Sequence, residues 1–147
     1  MSNYRVLLEL LEFYRNQYIK LFLVGGRVVE GKLFAPSRND STASIMTDDG
    51  YDRIIPFCHI ISLNLDDQGK QYLDIIKDQS VSYYDISPHI IAIDTIANTT
   101  KQYGHSCEFF TTDGKVHVKS INRAIGGLIF TNDCIYNTSH ITEFGSH

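Results

Sequence analysis

Residues 18–35 read YIKLFLVGGRVVEGKLFA, two apolar runs on either side of Gly25-Gly26. In the first run, residues 18–24, apolar side chains alternate as they do in a half-buried β-strand. The two glycines supply the positive φ that a tight hairpin turn needs. Residues 27–35 form the return strand, in which Gly31 indicates a bulge or a sharp bend. This stretch therefore predicts an antiparallel hairpin.

The residues around the hairpin predict one helix and three further strands. Residues 4–16 carry apolar side chains at helical spacing, and Ser2 or Asn3 is placed to cap the start of that helix. The strands are predicted over 42–47, 52–57 and 59–65. A helix followed by five short strands within residues 1–66 predicts a mainly β fold, a small and strongly bent sheet or barrel.

The rest of the chain is less regular. Residues 68–78 have the apolar spacing of a helix, residues 81–93 hold an apolar strand, and residues 94–103 form a short helix. Alternation returns in residues 107–121, where two strands flank Asp113-Gly114, the strongest hairpin signal in the chain.

An internal repeat is the most informative feature of the sequence. The matched segments are Gly25-Gly26-Arg27-Val28-Val29 with Asp113-Gly114-Lys115-Val116-His117, Leu33 with Ile121, Ile45-Met46-Thr47-Asp48-Asp49 with Ile129-Phe130-Thr131-Asn132-Asp133, and Cys58-His59-Ile60 with Ser139-His140-Ile141. They predict a lobe at 1–66, a helix–strand connector at 67–93, and a degenerate second lobe at 94–147. The alternative is chance, because such turns and strands recur in any β protein. Pro88-His89-Ile90-Ile91 also resembles the two His segments, and the repeat does not account for it.

Composition narrows the class of protein. Hydrophobic residues make up 43% and charged residues 20% of the 147, which excludes a disordered tail and a coiled-coil rod. The net charge of −4 does not indicate a nucleic-acid-binding protein, although a protein with this net charge can still carry a local basic patch. We expect no leader peptide and no membrane span. Three widely spaced cysteines indicate reduced thiols, so we expect a cytoplasmic protein.

The sequence contains no motif that indicates catalysis. Cys58 and His59 are neighbours, and neighbours on a strand point to opposite faces, so they make a poor nucleophile–base pair. The remaining Cys and His residues are too widely spaced for a zinc site. No P-loop, G-x-S-x-G or H-E-x-x-H segment occurs. We expect a protein that is not an enzyme and that holds neither a metal nor a cofactor.

The first lobe resembles the Sm/Hfq-like family. The resemblance is carried by the N-terminal helix, by residues 21–33 (LFLVGGRVVEGKL) and by residues 57–62 (FCHIIS). It implies a small, bent, five-stranded barrel, and two tandem copies if the second lobe counts. It also implies a ring, in which the fourth strand of one subunit pairs with the fifth strand of the next. Pairing strands around a ring removes every exposed sheet edge. With two lobes per chain, a trimer forming a pseudo-hexamer is expected first, and a hexamer second.

The resemblance further implies single-stranded RNA as the partner, with the chain acting as an RNA chaperone. His59 occupies the position of the family's pore histidine, and Cys58 replaces the neighbouring lysine. On the opposite face, Phe22 matches an aromatic residue, Gly26 matches the turn glycine, and Glu30 replaces a glutamine with an anion that repels phosphate.

Other candidate contacts are less specific. Arg5 lies near the helix position where the family carries a polar contact residue, and the second lobe keeps the histidine as His140. Arg38 and Asn39 belong to a polar loop that either lines the pore or is simply solvated. Because several positive residues of the family are missing, the alternative function is a ring-forming structural or protein-interaction module that has lost RNA binding.

Overall fold

The computed structural model describes residues 2–36, 42–83 and 85–146, which form three helices and eleven strands. The helices are α1 (Arg5–Phe13), α2 (Asp67–Ile76) and α3 (Pro88–Gln102). The strands are β1 (Tyr18–Leu23), β2 (Val28–Pro36), β3 (Thr42–Thr47), β4 (Asp52–Pro56), β5 (Ile60–Asn64), β6 (Cys107–Thr111), β7 (Val116–Lys119), β8 (Ile121–Ile125), β9 (Leu128–Thr131), β10 (Cys134–Asn137) and β11 (Ile141–Ser146). Single 3-10 turns, Phe57–His59 and Thr138–His140, connect β4 to β5 and β10 to β11.

The strands form two antiparallel sheets, which confirms the predicted mainly β class. Eight strands make one sheet in the order β4-β3-β2-β1-β5-β10-β9-β8, and three make a second sheet in the order β11-β6-β7. Within the described residues, β4 and β11 each pair with one strand only, so neither sheet closes on itself. Among these residues the sheets are therefore open, and the strand pairing does not confirm the expected small five-stranded barrel.

The two halves of the chain are joined by β5 and β10, which pair Leu63 with Ile135. Both side chains are buried in one apolar core together with Leu10 and Leu11 of α1. Burying an aliphatic side chain of this size stabilises a fold by about 1.5–3 kcal/mol. A second, smaller core lies beneath α3 and contains Phe109 among others. The larger core thus takes residues from both halves.

Two β-bulges recur at matching places in the two halves. The pairing of β1 with β5 skips Ile61, and the pairing of β6 with β11 skips Thr142. The pairing of β2 with β3 skips Phe34, and the pairing of β8 with β9 skips Asn122. Because a bulge changes the register and the twist of a strand pair, two bulges at equivalent positions make the two sets of strands alike in detail.

The strand registers change one part of the predicted repeat. Leu33 pairs with Ile45, and Ile121 pairs with Thr131. Thr131, rather than Ile129, therefore takes the place of Ile45. The sequence match aligned Ile45 with Ile129 because both hairpins have Asp or Asn in their turns, and these residues favour a turn in any hairpin.

Residues 88–102 form one continuous helix, so the strand predicted over 81–93 is wrong, and the helix predicted over 94–103 is the second part of a longer one. Pro88 occupies the first turn, where its missing N–H costs nothing. Ile90, Asp94 and Ala97 are buried at helical spacing. A short apolar run does not by itself distinguish a strand from a helix, which is why Pro88-His89-Ile90-Ile91 resembled the strand segments. None of the described helices is long and apolar enough to cross a membrane.

The start of α1 differs from the expected capped helix. The N-cap position belongs to Tyr4, and no side chain caps it. Asn3 instead accepts a hydrogen bond from the backbone N–H of Ser87 at 2.9 Å and donates one to its hydroxyl at 2.7 Å. Its side chain is thereby used to hold the segment before α3 against the start of the chain, and the predicted cap does not form.

Gly25-Gly26 forms the predicted turn, with φ of 76° and 75°. Gly31 lies inside β2, where a Cβ would be 2.1 Å from the carbonyl oxygen of Met46 on β3. The bulge of β2 falls at Phe34, so Gly31 serves the close approach of two backbones and does not mark the bulge.

Candidate functional site

An open pocket of about 300 Å³ lies at the free edge of the first half, beside His59. The turn between β1 and β2 forms one wall, and β4 forms the other. The lining combines an apolar floor with three cationic or titratable side chains, and consists of Leu23, Val24, Arg27, Val29, Arg53, Ile54, Ile55 and His59. Among the described residues, no acidic side chain lines it.

Two polar side chains of this pocket have no partner among the described residues. The guanidinium of Arg27 and the imidazole of His59 make no hydrogen bond or ion pair there. Arg53 forms an exposed ion pair with Asp49 at 3.6 Å, a geometry that contributes little in water.

His140, the counterpart of His59, is buried and fully used within the chain. A carbonyl oxygen can only accept, so Nε2 of His140 donates to the backbone carbonyl oxygen of Cys58. Its Nδ1 then accepts a hydrogen bond from the Thr112 hydroxyl at 2.7 Å. His140 is 9% exposed. It connects the two halves and is not available to bind RNA, which removes it from the predicted contacts.

One neighbouring position contributes to the difference between the two histidines. Leu23 N–H donates to the Arg27 carbonyl across the first turn, and Thr111 N–H donates to the Lys115 carbonyl across the second. Val24 therefore occupies the place of Thr112. Because valine has no hydroxyl, the first half has no equivalent partner for a histidine nitrogen.

The residues predicted on the opposite face lie on β1, β2 and the turn between them. Phe22 is half-buried, and the ammonium of Lys20 lies 5.5 Å from its ring centre. Gly26 is in the turn and presents no side chain. Glu30 is exposed, and its hydrogen bond raises the pKa of Tyr18 above the ordinary value.

Acidic residues surround Glu30. A second open pocket is lined by Arg27, Val28, Val29, Glu30, Thr47, Asp48, Asp49 and Arg53. Its three carboxylates offset the two arginines, so this side of the turn is less favourable to phosphate than the side that holds His59.

A third pocket, of about 140 Å³, lies where the two halves meet. It is lined by Phe22, Ile61, Ser62, Asn64, Asp113, Lys115, His117, Cys134 and Tyr136. His117 is stacked on Phe109, with ring centres 5.1 Å apart, and its Nε2 lies 3.0 Å from the Thr111 hydroxyl. Burial lowers the pKa of His117 and raises the pKa of the Cys134 thiol, which keeps the cysteine protonated and unreactive.

Sequence reasoning missed this third pocket. Its lining comes from strands that lie far apart in the chain and meet only through the β5–β10 pairing. The single available signal was the alternation of residues 115–119, which placed Lys115 and His117 on one face of a strand.

The remaining predicted residues do not join a common site. Arg5 is on α1 and lies 3.8 Å from Asp85, and it lines none of the three pockets described above. Cys58 is exposed beside His59, and its carbonyl receives the bond from His140. Arg38 and Asn39 lie outside the described residues. The residues that the structure does describe hold no group of three or more His, Cys, Asp or Glu side chains placed to bind a metal ion.

Comparison with known protein families, with curated proteins and with solved structures finds no match for this chain. The interpretation of the His59 pocket therefore rests on the residues described above.

Proposed function

We propose that this chain is a duplicated Sm/Hfq-like protein that assembles into a ring and binds single-stranded RNA. The recurring bulges support the duplication, because independent sheets have no reason to skip residues at Ile61 and Thr142, and at Phe34 and Asn122, in the same order. In both halves a helix precedes the strands, and a 3-10 turn ending in His59 or His140 precedes the last of them.

The join between the halves supports assembly into a ring. β10 takes the place of β4 in the second half, and it pairs with β5 of the first. Within the described residues, the free edge of β4 and the free edge of β11 have no such partner. If β4 of one chain pairs with β11 of the next, the internal join is repeated between chains and both of these edges are paired. A ring of three chains, with six lobes, is the proposed assembly, and a ring of six chains is second.

Exposure at the β4 edge favours this pairing. Ile54 is 71% exposed, whereas Ile135, at the equivalent position of β10, is 0% exposed between the halves. The proposed pairing of β4 would cover Ile54 as the β5–β10 join covers Ile135.

Proposed RNA binding is carried by one observation: the pocket beside His59 holds Arg27 and His59 without a described partner and without a lining acid. A guanidinium suits a phosphate, an imidazole suits a base edge or a phosphate oxygen, and the apolar floor suits the face of a base. A ring would place several such pockets around one axis. We propose binding as the function of this pocket, without catalysis.

The charge of the chain indicates that binding is moderate and sensitive to salt. Cys58 supplies no positive charge next to His59, and Glu30, Asp48 and Asp49 lie on the other side of Arg27. Phosphate contacts release counterions, so affinity falls as salt rises.

The second candidate is a ring that binds other proteins. The burial of His140 favours it, because one of the two expected histidines has become a structural link between the halves.

The two candidates are separated by fluorescence anisotropy of labelled oligo-U and oligo-A over a salt series, with the mass measured on the same sample by light scattering. Binding at low salt is expected to weaken about ten- to a hundredfold in Arg27→Ala and in His59→Ala, since a charge-assisted hydrogen bond contributes about 1.5–3 kcal/mol. Arg15→Ala and His89→Ala are matched controls, because both residues are exposed outside the pocket, Arg15 in the turn after α1 and His89 on α3. An intact ring that binds neither oligonucleotide at low salt would exclude the RNA proposal and leave the protein-binding ring.

A further inference from the structure

We infer that the pocket beside His59 is one half of a composite site, which a second copy of this chain completes with Phe110 and Glu143. This inference rests on the proposed ring and adds the residues that recognise the neighbouring copy. Glu143 of that copy forms an ion pair with Arg53, which is its diagonal neighbour on the same face of the proposed strand pair.

The pocket beside His59 and the pocket between the halves are built from equivalent positions. Lys115, His117, Cys134 and Tyr136 of the internal pocket take the places of Arg27, Val29, Arg53 and Ile55. The registers set this correspondence, because Phe22 pairs with Val28 in the first half as Phe110 pairs with Val116 in the second.

The internal pocket has a second wall that the outer one lacks. That wall consists of Phe22, Ile61, Ser62 and Asn64 of β1 and β5. The outer pocket has only residues from its own half, and its larger volume, about 300 Å³ against about 140 Å³, fits a site that lacks one side.

The chain itself contains the missing wall at the opposite end. Phe22 pairs with Ser62, and at the equivalent place Phe110 pairs with Glu143. Cross-strand partners share a face of the sheet, so Phe110 and Glu143 face the same side of the free β11 edge. That face cannot reach the pocket of its own chain through the β5–β10 join, so a second copy has to supply it.

Strand register places the interacting residues. In the internal join, Ile135 pairs with Leu63, and Tyr136 pairs with Ser62. The same register between copies pairs Ile54 with Phe144, and Ile55 with Glu143 of the next copy. The exposed Ile54 then packs against the smaller core, whose border includes Phe144.

The proposed β4–β11 pairing between copies differs in charge from the β5–β10 join within the chain. Between the halves, Cys134 faces the neutral Ser62 and Asn64. Between copies, Arg53 replaces the cysteine and Glu143 replaces the serine. Opposite charges across an interface select the partner and its register. One carboxylate against Arg27 and Arg53 leaves the completed pocket net positive, which is compatible with an anionic ligand.

The test reverses the charge of Arg53 and of Glu143, first one at a time and then both together. The mass of the intact chain is measured by light scattering and by native mass spectrometry at low micromolar concentration. We expect wild type at three times 16.7 kDa, Arg53→Glu and Glu143→Arg shifted towards the single-chain mass, and the double variant restored to the wild-type mass. Lys70→Glu, an exposed charge reversal on α2, is the control and is expected to assemble normally. Unfolding temperature, followed by circular dichroism, checks that each variant folds.

The other outcomes separate the proposals. Single variants that keep the wild-type mass, or a double variant that fails to recover, would overturn the pairing of Arg53 with Glu143 and leave the ring. A monomeric wild type would overturn both the ring and this inference. An intact ring with no affinity for RNA would overturn only the RNA proposal. If Arg53→Glu disrupts folding, Ile54→Lys gives a second test of the same edge, with the same loss of assembly expected.

Discussion

Nε2 of His140 donates a hydrogen bond to the backbone carbonyl oxygen of Cys58, which lies in the other half of the chain. The same imidazole accepts from the Thr112 hydroxyl, so both of its nitrogens are used. His59 occupies the matching position in the first half and is exposed, without a described partner. One histidine therefore holds the two halves together, while the other is open to a ligand or to a neighbouring copy.

This contrast predicts that the same substitution lowers stability much more at His140 than at His59. His140→Ala is expected to lower the free energy of unfolding by about 1–3 kcal/mol, because it leaves a buried carbonyl and a hydroxyl without partners. His59→Ala is expected to change it by less than about 0.5 kcal/mol, as for most exposed positions. Urea unfolding of both variants measures the difference. Equal losses would show that His59 also has a structural partner.

Asp94 predicts how stability depends on pH. Its carboxylate is 2% exposed; Oδ2 accepts from Tyr83 and from Gly126 N–H, each at 2.8 Å, and Oδ1 has no hydrogen-bond partner in the part of the chain that the structure describes. Burial raises the pKa of Asp94 from 3.8 to about 6. Since the folded state keeps the proton to higher pH than the unfolded state, stability falls as pH rises from about 4 to 6. A shift of this size corresponds to about 3 kcal/mol.

Asp94→Asn tests that dependence. The amide oxygen keeps one acceptor for Tyr83 and Gly126, and the side chain no longer ionises. We expect thermal unfolding of the variant to vary less between pH 4 and 7, and the variant to be more stable than wild type at pH 8. Asp74→Asn, an exposed change on α2, is the control. An unchanged pH profile in Asp94→Asn would assign the dependence to another group.

Gly31 predicts a large effect of one added methyl group. A Cβ at Gly31 would lie 2.1 Å from the Met46 carbonyl oxygen, and backbone atoms cannot rotate away. Gly31→Ala is expected to cost at least about 1–3 kcal/mol, as overpacking does in a core. Gly145→Ala is the control, because its Cβ would meet no atom within 4 Å and its φ is not positive. Similar unfolding midpoints for both variants would contradict the close approach of β2 and β3.

Ile54 predicts a change in assembly without a change in folding. Ile54→Ser is expected to shift the mass measured by light scattering towards the single chain, because it removes the apolar contact proposed between copies. Tyr103→Ser alters a side chain that is just as exposed, 72% against 71%, and is expected to assemble as wild type does. Loss of assembly in both variants, or in neither, would remove Ile54 from the interface.

The hairpins were the most predictable parts of the fold. Gly25-Gly26 and Asp113-Gly114 form turns because positive φ is a local property that glycine permits in any surroundings. The helix α3 was not predictable in the same way. Its apolar run is too short to decide between a strand and a helix, and the packing of Ile90 and Ala97 made the decision.

The candidate site was also predictable only in part. His59 was identified from its sequence context, whereas Arg27 and Arg53 were not, because nothing in the order of residues shows that the β1–β2 turn and β4 share a pocket. His140 was assigned the same role as His59, and its environment contradicts that. The burial of a histidine depends on which strands lie beside it.

The sequence by itself determined the strand alternation and the two glycine turns, since each of these depends on residues close together in the chain. Only the tertiary structure decided that β5 pairs with β10, that His140 is enclosed between the halves, and that β4 and β11 each pair with one strand among the described residues. Backbone hydrogen bonds between strands are alike for every sequence, so the choice of partner strand depends on packing over the whole fold.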